Sequence, residues 1–125
     1  MARILTVDDS NSLRRMVAFT LKQAGHDVVQ AVDGSDGLAK AQEQEIDLAL
    51  VDVNMPSMGG IEMVAEMRKL PAYARTPILM LTTESSAEKK QEGREAGATG
   101  WIVKPFSPEQ LLAIVDKVLS RNSAA

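Results

Sequence analysis

The 125 residues contain no cysteine, which excludes a disulfide framework and a thiolate metal site and suits a reducing compartment. Histidine is nearly absent: the sole one, His26, falls in the turn after the first helical segment. No imidazole is therefore at hand to activate a hydroxyl or an amine elsewhere. No apolar run approaches the roughly 20 residues of a membrane-spanning helix. Only a strand-length apolar stretch precedes Asp8, too short for the apolar region of a signal peptide. Basic residues are scattered and outnumbered by acids, 14 to 17. That excludes the clustered positive charge a nucleic-acid binder needs. Internal repeats, low-complexity tracts and linkers are missing as well. The expectation is a single soluble, cytoplasmic domain over residues 1–125 with no effector domain and no membrane contact. At this size folding buries roughly two-thirds of the unfolded surface, enough for a core without staples.

What is present is an alternation of short apolar runs with amphipathic segments, the pattern of repeated βα units over a parallel sheet. Strands are expected at 3–7, 27–31, 47–51, 77–81 and 99–103, apolar enough to be covered on both faces. Helices are expected at about 11–24, 35–44, 60–69, 86–96 and 107–119. The first places Leu13, Met16, Val17, Leu21 and Ala24 on one face, with Asp9 or Ser10 as cap and Gly25 as left-handed stop. The third buries Met63, Val64 and Met67 and is halted by Pro71; the fifth begins at Ser107-Pro108 and carries Leu111, Ile114, Val115, Val118 and Leu119. The fourth has only alanines as apolar anchors and an internal glycine, Gly93, worth about 1 kcal/mol against it relative to alanine. It is expected at the low-stability end of the domain. The tail from Ser120 to Ala125 is expected to fray.

Polar residues stop these runs in a telling way. Asp8 and Asp9 follow the first, Asp52 the third, Thr82 the fourth and Lys104 the fifth. Open α/β sheets bind ligands at the carboxyl ends of their strands, so all five side chains are expected in one crevice. Three carboxylates crowded there repel: like charges 4 Å apart cost roughly 4 kcal/mol at an effective dielectric of 20. A hard divalent cation offsets this, and an all-oxygen site suits Mg²⁺. Lys104 is a point charge for a phosphate oxygen and Thr82 a hydroxyl donor. With no base beside them, the candidate nucleophile is a carboxylate, Asp52, and its attack on phosphorus gives an aspartyl phosphate.

These residues carry a resemblance. Val7-Asp8-Asp9-Ser10, Val51-Asp52-Val53-Asn54-Met55-Pro56, Leu81-Thr82-Thr83-Glu84 and Val103-Lys104-Pro105-Phe106 resemble the motifs of two-component response regulator receiver domains. Most nearly they are similar to the stand-alone chemotaxis regulators of the CheY type, over residues 3 to about 120. The resemblance implies a doubly wound, flavodoxin-like α/β domain whose five parallel strands run in the order 2-1-3-4-5. It implies Asp52 as phosphoacceptor. It also implies Asp9, Asp52 and the backbone carbonyl of Asn54 at the Mg²⁺ (or Mn²⁺), with Asp8 acting through water. Thr82 and Lys104 then receive the phosphoryl oxygens, and Trp101 stands at the family's switching aromatic. Lys104-Pro105 matches the family's cis peptide. Asn54 and Glu84 flank the hydrolytic water in a pairing that implies a short-lived phosphoryl group, and Thr83 narrows access for the donor.

The resemblance further implies a chemotaxis-type histidine kinase as donor, a monomer, and output by protein contact through helix four, strand five and helix five. The flagellar motor switch protein is the expected target, and a phosphatase a further partner. Lys89, Lys90 and Arg94 lie on that face, where the sequence marks no apolar docking patch. A phosphate sink that drains the kinase is thus an alternative output. An aspartate-nucleophile phosphatase is disfavoured because Asn54 stands where it needs a second Asp, and a flavodoxin-type binder because no glycine-rich phosphate loop follows strand one. The expectation is a signalling domain, not an enzyme turning over an external substrate.

Overall fold

Leucine, isoleucine and valine recur in five short runs that become five parallel strands, the three central ones buried almost throughout and the two edge strands partly exposed. In the computed structural model, which describes residues 2–53, 59–82 and 87–123, these are β1 (Arg3–Val7), β2 (Asp27–Ala31), β3 (Leu48–Asp52), β4 (Ile78–Thr82) and β5 (Gly100–Val103). Their order is β2-β1-β3-β4-β5, as expected, with β1 paired to β3 from Ile4↔Leu48 to Val7↔Val51. The third, fourth and fifth strands each begin one residue later than the apolar runs suggest.

Between them lie α1 (Asn11–Gln23), α2 (Gly34–Glu43), α3 (Gly60–Arg68), α4 (Ala87–Ala96) and α5 (Pro108–Ser123), with a 3₁₀ turn at Pro71–Tyr73 that the sequence does not announce. Ser10, not Asp9, caps α1 through its hydroxyl, and Gly25 takes the left-handed conformation at φ 94°. Ser107 Oγ accepts from the Gln110 N–H at the start of α5. α5 runs to Ser123, into the segment expected to fray, with no glycine or proline to interrupt it; residues 124 and 125 lie outside the described residues.

Alternate strand residues feed two cores. Leu5, Val7, Ala49, Val51 and Met80 pack with Ala41, Met63, Val64 and Met67 beneath α2 and α3. Ile4, Leu48, Leu50, Leu79 and Leu81 pack with Val17, Leu21, Leu111 and Val115 beneath α1 and α5. Leu13 and Met16 of α1 are half-buried and Ala24 is exposed; Thr20 is buried at the side of a stripe made by Arg14, Val17, Ala18 and Leu21. That is the i, i+3, i+4, i+7 row of a helix. Position 14 belongs to it although its residue is charged.

Candidate functional site

The register of the sheet fixes where each polar stop falls. Asp52 is the last residue of β3 and Thr82 the last of β4, and both are buried. The backbone N–H of Lys104, just beyond β5, donates to the Thr82 carbonyl at 2.7 Å, so the lysine leaves the sheet one step above the threonine. Its peptide bond to Pro105 is cis. Beyond β1, the Asp8 N–H still pairs with Ala31 O at 3.1 Å, and Asp8 Oδ1 accepts from the Ser10 N–H at 2.9 Å. That turn leads the chain from strand into α1 and leaves Asp9 exposed while Asp8 is buried.

All five expected residues meet at this edge or next to it. Carboxylate oxygens of Asp8, Asp9 and Asp52 lie within 4.8 Å of one another. Lys104 Nζ donates to Asp52 Oδ1 at 3.1 Å and stands 3.7 Å from Asp8 Oδ2. The two carboxylates are nearly inaccessible, so this ion pair works in poorly screened surroundings. Among the described residues, Asp8 Oδ2 is buried and makes no hydrogen bond. An anionic oxygen without a hydrogen bond, facing only the Lys104 ammonium among the described cations and crowded by two further carboxylates, is what a hard cation would satisfy, and the donor set is oxygen throughout. The residues fit Mg²⁺.

α3 enforces part of this geometry. A β-carbon on Gly60 would lie 2.1 Å from the backbone oxygen of Asp52, so only glycine lets the helix start close under the acceptor strand. The Gly60 N–H donates to Val53 O at 3.2 Å and ties the two together. Beside Lys104 opens a groove of about 530 Å³ lined by Leu13, Met16, Pro105 and Phe106.

Trp101 sits two residues before the partner of Thr82 on β5, opposite Met80. Its ring is half-buried and leans on the α2–α3 core. Asn54, Thr83 and Glu84 lie outside the described residues, as does the side chain of Lys89. On α4, Lys90 is half-buried and Arg94 exposed. The expected lack of an apolar docking patch needs correction. A groove of about 350 Å³ runs between β5 and α5, walled by Trp101, Val103, Phe106, Ala113 and Ile114 among others. Its walls come from two elements, so no single stretch of sequence marks it. Arg14, in the buried row of α1, also reaches this edge, its Nη1 donating to the Asp8 backbone carbonyl at 2.9 Å.

The sheet order and the flanking helices define the flavodoxin-like fold of CheY. Residues 4–116 match the response regulator receiver domain, and the chain belongs to that family, whose members serve two-component phosphorelays with histidine kinases and bind Mg²⁺ at an acidic cluster. Among solved structures, chemotaxis protein CheY4 of Vibrio cholerae is 56% identical and superposes with a TM-score of 0.92, covering 94% of this chain and 98% of that one. Among curated proteins, Protein PilG of Pseudomonas aeruginosa is 34% identical over 113 residues, 90% of this chain and 84% of PilG. The alkaline phosphatase synthesis transcriptional regulatory protein PhoP of Bacillus subtilis is 37% identical over 123 residues, 98% of this chain and 50% of PhoP. The chain spans about half the length of the transcriptional regulators it matches.

Proposed function

We propose that this receiver accepts a phosphoryl group on Asp52 from a chemotaxis-type histidine kinase and signals by contact with another protein, without turning over an external substrate. One observation carries the reading: the Lys104 ammonium, 3.1 Å from Asp52, faces a buried cleft in which three carboxylates converge.

An Asp52 oxygen attacks the phosphorus of a phosphohistidine. The new O–P bond forms as the P–N bond breaks, and the imidazole nitrogen leaves with the electron pair. Asp8 and Asp9, with the Asn54 carbonyl, would hold Mg²⁺, which when bound neutralises carboxylate and phosphoryl charge. Lys104 exchanges its carboxylate partner for a phosphoryl oxygen, and the Thr82 hydroxyl donates to another. Two such charge-assisted bonds supply roughly 1.5–3 kcal/mol each. Their sum approaches the roughly 5.5 kcal/mol that carries an equilibrium from 1:99 to 99:1. Trp101 shifts as Thr82 moves, and the α4–β5–α5 face changes.

Likeness to the chemotaxis protein CheY4 over nearly the whole chain supports a chemotaxis role; a cytoplasmic location and the flagellar motor switch protein as target are proposed from the family resemblance. The apolar groove between β5 and α5 supports output by contact over a phosphate sink. Trp101 is the sole tryptophan, so its fluorescence is expected to change when Mg²⁺ and a small acyl phosphate are added together. Asp52→Asn is expected to abolish the donor-dependent part; an unchanged response would move the acceptor elsewhere. Pull-down of the motor switch protein is expected only with the donor present, and its absence under both conditions would favour the sink.

A further inference from the structure

Behind the acidic cleft lies a buried cation that the phosphoryl chemistry does not use. Arg14, one turn into α1, is 8% exposed. Its guanidinium donates to three elements of structure. Nη1 reaches the backbone carbonyl of Asp8 at 2.9 Å, Nη2 reaches Asn11 Oδ1 at 2.7 Å, and Nε reaches Gln30 Oε1 on β2 at 3.3 Å. All three acceptors are neutral. Burying a cation whose hydrogen bonds all go to neutral groups, with the Asp36 carboxylate acting on it through charge alone, costs stability that an apolar residue at this core position would not.

The contact with Asp8 explains what the cost supports. The accepting carbonyl belongs to the peptide between Asp8 and Asp9, so holding it sets the plane from which both carboxylates depart. The guanidinium is itself held on two sides, by α1 and by β2, and its planar fork tolerates little rotation. The Asp8 side chain is braced separately, by the Ser10 N–H. Together these bonds keep Asp8 Oδ2 buried beside Asp9 and Asp52, without a hydrogen bond among the described residues.

We infer that Arg14 is a positioning residue for the cation site: it clamps the Asp8–Asp9 peptide so that both carboxylates converge before any metal arrives. This rests on the proposed function's assignment of those acids to Mg²⁺. Partners that orient metal ligands from behind typically contribute 10–100-fold to affinity. Two other roles would leave opposite signatures. A purely electrostatic Arg14 would weaken cation binding, so its removal would tighten it. A purely structural one would lower the melting temperature and leave the affinity of the folded protein unchanged.

The test is a calorimetric titration of Mg²⁺ into the full chain, below the melting temperature of each variant. Arg14→Met is expected to raise the Kd by about tenfold or more, and Arg14→Lys, which keeps the charge and its donors on a single nitrogen, by less. Gln30→Leu removes only an anchor of the guanidinium and is expected to raise the Kd by a smaller factor; it keeps the test decisive if Arg14→Met does not fold. Unchanged or tighter binding in these variants overturns the role of Arg14 alone. A wild-type chain that does not bind Mg²⁺ overturns the assignment of the acidic site with it.

Discussion

The six-membered ring of Trp101 occupies the space that a side chain on Gly93 would need: a β-carbon there would lie 2.5 Å from Cζ2 and 2.6 Å from Cη2. The internal glycine of α4, which propensity marks as a weakness, is the seat of the indole. Helix and ring are in direct contact, so neither shifts without the other responding.

Gly93→Ala separates packing from propensity. In an open helix interior it would stabilise by about 1 kcal/mol. Here the ring must give way, and a net loss of about 1–3 kcal/mol is expected from overpacking, read by urea unfolding. Trp101 emission is expected to shift to the red as the ring leaves its seat. In a Trp101→Ala background the same substitution is expected to stabilise, and no change of sign between the two backgrounds would sink the interlock.

Lys104→Met removes the ammonium that faces both buried carboxylates. Breaking a buried pair by deleting one partner costs about 3–5 kcal/mol, and the lower end is expected because the lysine keeps some solvent contact. Saturating Mg²⁺ is expected to recover part of the loss. A ligand at one hundred times its Kd adds about 2.7 kcal/mol to whichever form binds it. Thermal unfolding with and without Mg²⁺ checks both statements.

Thr6 is fully buried on β1, and its hydroxyl has no hydrogen-bond partner among the described residues. An unsatisfied buried hydroxyl costs about 1–3 kcal/mol, so Thr6→Val, of similar shape, is expected to stabilise by about 1 kcal/mol. Chemical denaturation reads this directly, and a destabilised variant would reveal a partner for the hydroxyl.

Tyr73 makes the protein sensitive to alkali. Its hydroxyl lies 2.6 Å from both the Ala41 and Gln44 carbonyls at the end of α2. Burial raises its pKa above the usual 10.0, helped by the charges of Glu45 and Asp47 and opposed by a backbone hydrogen bond from Ile46. The folded state thus holds the phenol proton more tightly than the unfolded state. That contribution is complete below pH 10 and is lost as pH rises through the folded value. Melting temperature is expected to fall above pH 10 in the wild type and to lose this component of the fall in Tyr73→Phe.

Much of the site was legible in the chain because a parallel strand covered on both faces reads as a contiguous apolar run, and its end as the first polar residue. Asp8, Asp52, Thr82 and Lys104 could be placed at one sheet edge on that ground alone. The order of the strands came from resemblance, since apolar runs do not say which neighbours which. Of the five residues expected on the buried face of α1 only Val17 and Leu21 are buried, while Leu13 and Met16 are half-buried and Ala24 is exposed; Arg14 takes a place in that row although arginine carries the charge that normally marks an outward face.

The linear order of residues by itself determined which segments become strands and helices and which polar groups gather at the carboxyl edge; these are short-range consequences of side-chain polarity and backbone preference. Only the tertiary structure decided what Arg14 and Gly93 are for. The arginine is buried because Gln30 and the Asp8 carbonyl reach it from neighbouring elements, and the glycine is required because a ring from β5 lies against α4. Steric fit and buried hydrogen bonding act between atoms that become neighbours only once the sheet has assembled.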